Sequence, residues 1–154
     1  MTYNIHPIIV HFPIALLFLY SIIKIIPFAK WWPNVAWRHI ERALLLVGVL
    51  GAGAALLTGP IARDLVQPNP ELVNAHSTFA YFTALVYSLL AIGEAFAILK
   101  LKENIFSKGF LPKFLAFVGL LALTVTGMLG GAMVYGTSAD PMLPIVLKML
   151  GISL

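Results

Sequence analysis

Residues 114–139 read FLAFVGLLALTVTGMLGGAMVYGTSA, without a single Asp, Glu, Lys or Arg. A helix needs about 20 apolar residues to cross a hydrocarbon core of about 30 Å, and this run is long enough. Three more runs are equally free of charge: Met1 to Ile23, Ala43 to Ala62 and Leu72 to Gly93. The whole chain has 154 residues, of which 60% are hydrophobic and 10% charged, with mean hydropathy +0.96. A soluble domain carries about a quarter charged residues, so no water-facing shell can be assembled from this stock. Helices satisfy their own backbone polar groups, which lipid cannot do. The expected fold is therefore all-α: one integral membrane domain, 1–154, built as an up-down-up-down four-helix bundle.

The punctuation predicts helices over about 5–28, 35–59, 71–100 and 111–136. Pro60 is expected to stop the second helix. Pro68-Asn69-Pro70 precedes the third, with Glu71 in its first turn. After Pro141 and Pro144 the tail is too short to span, which suits a short C-terminal interfacial helix. Short connections make neighbouring helices antiparallel. The first and third helices then share one diagonal, and the second and fourth share the other.

Charge gives an expected orientation. Lys24, Lys30, Arg38 and Arg42 flank the first connection, and Lys100, Lys102, Lys108 and Lys113 the third, against Arg63 and Lys148 elsewhere. The positive-inside rule places both termini outside and the first and third connections in the cytoplasm, with Trp31, Trp32 and Trp37 as an inner aromatic belt. The net charge of +4 follows from this placement. No basic–aromatic patch suggests nucleic acid. No basic segment precedes the first apolar run, so no cleavable signal is expected. The chain has no cysteine, which excludes disulfides, thiolate nucleophiles and iron–sulfur ligation within it. No phosphate-binding glycine loop or hydrolase motif occurs.

Four histidines remain. His39 opens the second helix on the inner side. His6, His11 and His76 fall on the outer side. At 1.5 Å per residue, His11 and His76 lie ~6 Å and ~7.5 Å into their helices, in one layer, with His6 above them. His6 and His11 are ~140° apart around a helix and converge only if Pro7 or Pro13 distorts it. The opposite diagonal is rich in small residues: Gly48, Gly51, Ala52, Ala55 and Gly59 on the second helix, and Gly127, Gly130 and Gly131 on the fourth. Such stripes serve close helix packing, and they also leave room for a flat cofactor.

Two histidines facing one another across glycine-lined helices is the layout of a bis-histidine heme site. The expected ligands to a heme b iron are His11 and His76, with His6 as an alternative and Gly51, Gly59, Gly127, Gly130 and Gly131 lining the plate. A copper or zinc site on His6, His11 and His76 is the second reading. A cofactor-free structural or assembly subunit is the third. Each is an electron-transfer or binding role, with redox or membrane-complex proteins as partners beside the bilayer and a homo-oligomer as a further option. An independent enzyme fits less well, because little catalytic polarity exists beyond the histidines.

Other polar residues have plainer expectations. Met128 and Met133 are packing residues with some capacity as soft ligands. Glu94 is the most unusual charge and should pair with Lys24 or Arg42. Arg63 and Asp64 form an interfacial pair, and Asp64 is a candidate to orient a histidine. Ser77 and Thr78 should bond carbonyls of their own helix.

The opening His6-Pro7-Ile8-Ile9-Val10-His11-Phe12-Pro13-Ile14-Ala15-Leu16 resembles the HPxxVHFPIAL signature of a prokaryotic membrane-protein family called domain of unknown function 2231. Later features are similar too: the small-residue second helix running from Gly59 to acidic Asp64, the histidine opening the third helix, and the closing Gly127, Gly130, Gly131, Val134, Tyr135 pattern. The resemblance covers nearly the whole chain and implies four membrane helices. Some members are joined to Rieske-type iron–sulfur domains, which implies redox work. No such domain is expected here, so a redox partner would be a separate protein.

Overall fold

The computed structural model describes residues 3–99, 109–138 and 140–152. It is all-helical: α1 His6–Ile25, α2 Phe28–Trp31, α3 Trp37–Val66, α4 Pro70–Ile98, α5 Phe110–Tyr135 and α6 Leu143–Met149. Four of these, α1, α3, α4 and α5, are long and apolar enough to cross a membrane. Their outward faces remain apolar: Ile8, Leu50, Leu57 and Phe110 are each at least three-quarters exposed. Water would penalise so much exposed hydrocarbon, and lipid does not. The protein is a membrane protein with an all-α four-helix bundle.

The helices close into a ring in the order α1, α3, α4, α5, leaving α1 and α4 on one diagonal and α3 and α5 on the other. Neighbours are antiparallel. Residues early in α1 meet residues late in α3, as His6 meets Thr58, while Lys24 meets Glu41 at the other end. The bundle thus has a histidine end, near the start of α1, and an ion-pair end. The core between them holds Leu17, Tyr20, Leu45, Tyr87, Leu90 and Leu123. Glycine makes two of its contacts: a Cβ on Gly48 would fall 2.6 Å from Leu17 Cδ2, and one on Gly119 would fall 2.9 Å from Tyr87 Cζ.

Two boundaries differ from expectation. Pro27 ends the first helix at Ile25, and a single turn, α2, follows before the next span. In that connection Phe28 stacks on Trp32 and Trp37, and the Trp37 indole donates to the Trp32 carbonyl at 2.9 Å. Pro60 does not stop the second span. It lies inside α3, which runs on to Val66 and ends where Gln67 takes the left-handed conformation, φ 50°. Membrane helices tolerate an internal proline because neighbouring helices and hydroxyls re-satisfy the freed backbone. The start of α4 is as expected: Asn69 Oδ1 accepts the backbone N–H of Glu71 at 2.8 Å and Pro70 fills the first position. The expected end near Lys100 lies outside the described residues, as do Lys102 and Lys108. The tail does form a short helix, α6, whose Leu143 and Leu147 pack with Leu72, Leu129 and Ala132.

Candidate functional site

His6 and His76 are the histidines whose rings turn against neighbouring helices. His6 points from α1 towards α3, where its Cε1 lies 3.7 Å from the Cβ position of Gly59. His76 points from α4 towards α5, with its Cε1 3.2 Å from the Cβ position of Gly130.

Hydrogen bonding ties Nδ1 of each ring to the protein. His76 Nδ1 is 3.0 Å from the Thr126 carbonyl. A carbonyl only accepts, so Nδ1 donates and the lone pair sits on Nε2. For His6, Nδ1 is 2.9 Å from Thr58 Oγ1. That hydroxyl lies 3.1 Å from the Ala54 carbonyl and 3.2 Å from the Ala55 carbonyl, and its one proton is donated there. With its proton so directed, Thr58 is placed to accept from His6 Nδ1, the arrangement that leaves Nε2 bare. Pinning the far N–H of an imidazole in this way sets its tautomer and aim for coordination.

His11 is placed differently. Its ring is exposed on the outer face of α1, and Nδ1 donates to the Pro7 carbonyl one turn back in the same helix. The structure therefore does not bring His11 together with His76, although their depths match. Pro13 does not swing the ring inward either: α1 continues through it, and the proline packs on α3 with its Cβ 3.2 Å from the Cβ position of Gly51. Gly51 is thus a packing contact. Gly127 and Gly131 have open space where a Cβ would lie. They line a groove of about 430 Å³ that Ile14 and Phe18 of α1 also border. His39 is exposed at the start of α3.

Asp64 pairs with Arg63 at 3.3 Å on the surface. Thr78 donates to the Asn74 carbonyl, as a membrane threonine should. At the opposite end Glu94 is buried. Arg42 Nε lies 3.0 Å from its Oε2 and Lys24 Nζ 3.9 Å from its Oε1, while Lys24 is closer to Glu41, at 2.9 Å.

Sequence reasoning did not single out Thr58 or Thr126, the residues that hold the two imidazoles. A signal was present: each immediately precedes a glycine, Gly59 and Gly127, on the two helices of one diagonal. Among the described residues no group of three or more His, Cys, Asp or Glu forms that could hold a metal. Two imidazoles with free Nε2 atoms can complete a centre that brings its own further ligands.

Residues 2–139 match the model of a family described as a predicted membrane protein, DUF2231. No curated protein and no solved structure matches the chain.

Proposed function

The chain belongs to this family of predicted membrane proteins, and we propose that it is an electron-transfer subunit that binds one heme b through His6 and His76. The carrying observation is that both imidazoles have Nδ1 tied to the protein and Nε2 left bare. A porphyrin provides four nitrogens, so iron needs only two axial ligands from the chain. Zinc wants about four ligands in total, mostly from protein, which two histidines do not meet. Bound heme would supply one-electron chemistry. The chain would supply ligand geometry and an apolar surround that excludes water.

The reading includes an orientation. Lys24, Lys30, Arg38 and Arg42 all lie at or beside the ion-pair end, opposite the histidines. In a prokaryotic cytoplasmic membrane this puts the termini and the histidine end outside. The chain lacks cysteine, so a Tyr3→Cys variant reports the side directly: it should react with an impermeant maleimide in intact cells. Labelling only after lysis would overturn the orientation.

The protein, purified from cells supplied with heme, should show a sharp low-spin α-band on reduction, lost in His6→Ala and in His76→Ala. A colourless protein, or a band that survives both changes, would overturn the heme reading. A second reading is a bare copper ion on the same two nitrogens, since imidazole suits copper. The close seating of the His76 ring on Gly130 favours it, because an ion needs less room than a porphyrin. Stoichiometric copper without a heme band would select that reading.

A further inference from the structure

We propose that the connection around α2, residues 26–40, is a docking surface for the headgroup of an anionic phospholipid, which Lys30, Arg38 and the indoles of Trp31 and Trp32 receive.

Charge comes first. Residues 26–40 hold two cations, Lys30 and Arg38, and no Asp or Glu. The nearest other cations are engaged within the bundle: Lys24 meets Glu41 at 2.9 Å and Arg42 meets Glu94 at 3.0 Å. Lys30 and Arg38 are exposed, and neither is in an ion pair or a side-chain hydrogen bond among the described residues. They flank the chain's three tryptophans, Trp31, Trp32 and Trp37.

The tryptophans are held as a rigid group. Phe28 stacks on Trp37 at 5.3 Å and on Trp32 at 5.9 Å, and it meets Trp31 edge-on at 5.7 Å. Trp31 and Trp32 meet edge-on at 6.0 Å. The Trp37 indole is committed to the Trp32 carbonyl at 2.9 Å. The other two are not: Trp31 is 60% exposed and Trp32 54%, and neither indole N–H has an acceptor among the described residues. The surface therefore offers two free N–H donors on apolar rings, beside two free cations, with little ordering left to do on binding.

Its place selects the partner. The connection joins two spans, α1 and α3, so it lies where the hydrocarbon core meets the headgroups. A ring that is apolar in body and a donor at one edge suits that boundary. Donors and cations together call for an acceptor-rich anion. A phosphodiester fits both: the Arg38 guanidinium can take two of its oxygens at once, and Lys30 acts as a point charge. A zwitterionic headgroup carries an ammonium beside its phosphate, which cancels the charge that Lys30 and Arg38 would attract. An anionic headgroup such as that of phosphatidylglycerol has no such cation. Each near-surface Lys or Arg strengthens binding to anionic lipid by about fivefold.

The test uses the tryptophans as reporters, because all three lie in this connection. The full chain is reconstituted in phosphatidylcholine bilayers that carry a minority of phosphatidylglycerol or of phosphatidylcholine with brominated acyl chains, which quench indole fluorescence on contact. In the wild type, brominated phosphatidylglycerol should associate about fivefold or more in preference to brominated phosphatidylcholine. Salt at 1 M shortens screening to about 3 Å and should shrink that ratio. Lys30→Gln combined with Arg38→Gln should bring the two lipids level. Both side chains are exposed and unpaired, so the fold should be undisturbed. Lys148→Gln is the control: Lys148 is an exposed cation of α6, whose Leu147 packs with Leu72 and Leu129 at the histidine end, and the preference should persist. Equal quenching by the two lipids in the wild type would overturn the proposal and leave the cations to an acidic protein partner. A preference unchanged in the double variant would overturn it too. Any bound heme dims both samples alike, so the ratio stands or falls independently of the cofactor.

Discussion

Thr58 Oγ1 lies 2.9 Å from His6 Nδ1, and it also reaches the carbonyls of Ala54 and Ala55 at 3.1 and 3.2 Å. One side chain beside Gly59, the last of a small-residue stripe, therefore holds a histidine of another helix. Thr58→Val keeps the shape and removes the acceptor. Loss of such a supporting bond typically costs ~10–100-fold in metal affinity. A heme titration followed by absorbance should show that loss, with the helical content of the variant unchanged. An undiminished affinity would mean that Thr58 does not position the ligand.

Gly130 and Gly127 sit one turn apart with opposite surroundings. A Cβ at 130 would meet His76 Cε1 at 3.2 Å and Nδ1 at 3.5 Å, whereas one at 127 would meet nothing within 4 Å. Gly130→Ala should push the imidazole and weaken its bond to the Thr126 carbonyl, broadening or shifting the reduced α-band. Gly127→Ala should leave the spectrum as it was. Equal spectra for both variants would show that the His76 ring is not held where iron or copper would need it.

His11→Ala should not change the cofactor spectrum, because that ring is exposed and bonds within its own helix. A band lost in His11→Ala and kept in His6→Ala would reverse the assignment of ligands.

That contrast shows how far the sequence reaches. Depth along a helix follows from counting residues, and it correctly placed His6, His11 and His76 at one end of the bundle. Which face of a helix turns inward depends on its partners. In α1 the apolar residues surround the helix almost evenly, so composition gives no phase. The same limit concealed Thr58 and Thr126, whose role exists only across helices. Charge is more legible, since a buried carboxylate must find a cation: the sequence offers Lys24 or Arg42 to Glu94, and the structure sets both beside it. The end of α3 was not legible, because the rule that proline stops a helix is written for water.

Glu94→Ala should be strongly destabilising. The side chain is 5% exposed, and its removal leaves Arg42 without its carboxylate in a low-dielectric setting. Breaking a buried pair by deleting one partner costs ~3–5 kcal/mol. Asp64→Ala is the comparison, because that pair is 60% and 72% exposed. Exposed pairs contribute little, so its effect should stay within about 0.5 kcal/mol. Unfolding in mixed micelles should separate the two variants clearly. Equal stabilities would show that the Glu94 cluster is hydrated rather than buried.

Gly119 and Tyr87 give a sharper test of packing, because the clash can be removed from either side. A Cβ on residue 119 would lie 2.9 Å from Tyr87 Cζ and 3.1 Å from Cε2. The ring is fully buried, and its hydroxyl is anchored 2.7 Å from Ser21 Oγ, so it has little freedom to retreat. Overpacking of this kind costs ~1–3 kcal/mol, and Gly119→Ala should lose about that much. Tyr87→Phe should not relieve it, since Cζ and Cε2 remain in place. Tyr87→Leu removes those atoms, so adding Gly119→Ala to it should cost much less than in the wild type. A double-mutant cycle on unfolding free energies measures the difference as a coupling energy. Strict additivity would mean that α4 and α5 do not meet through these two residues.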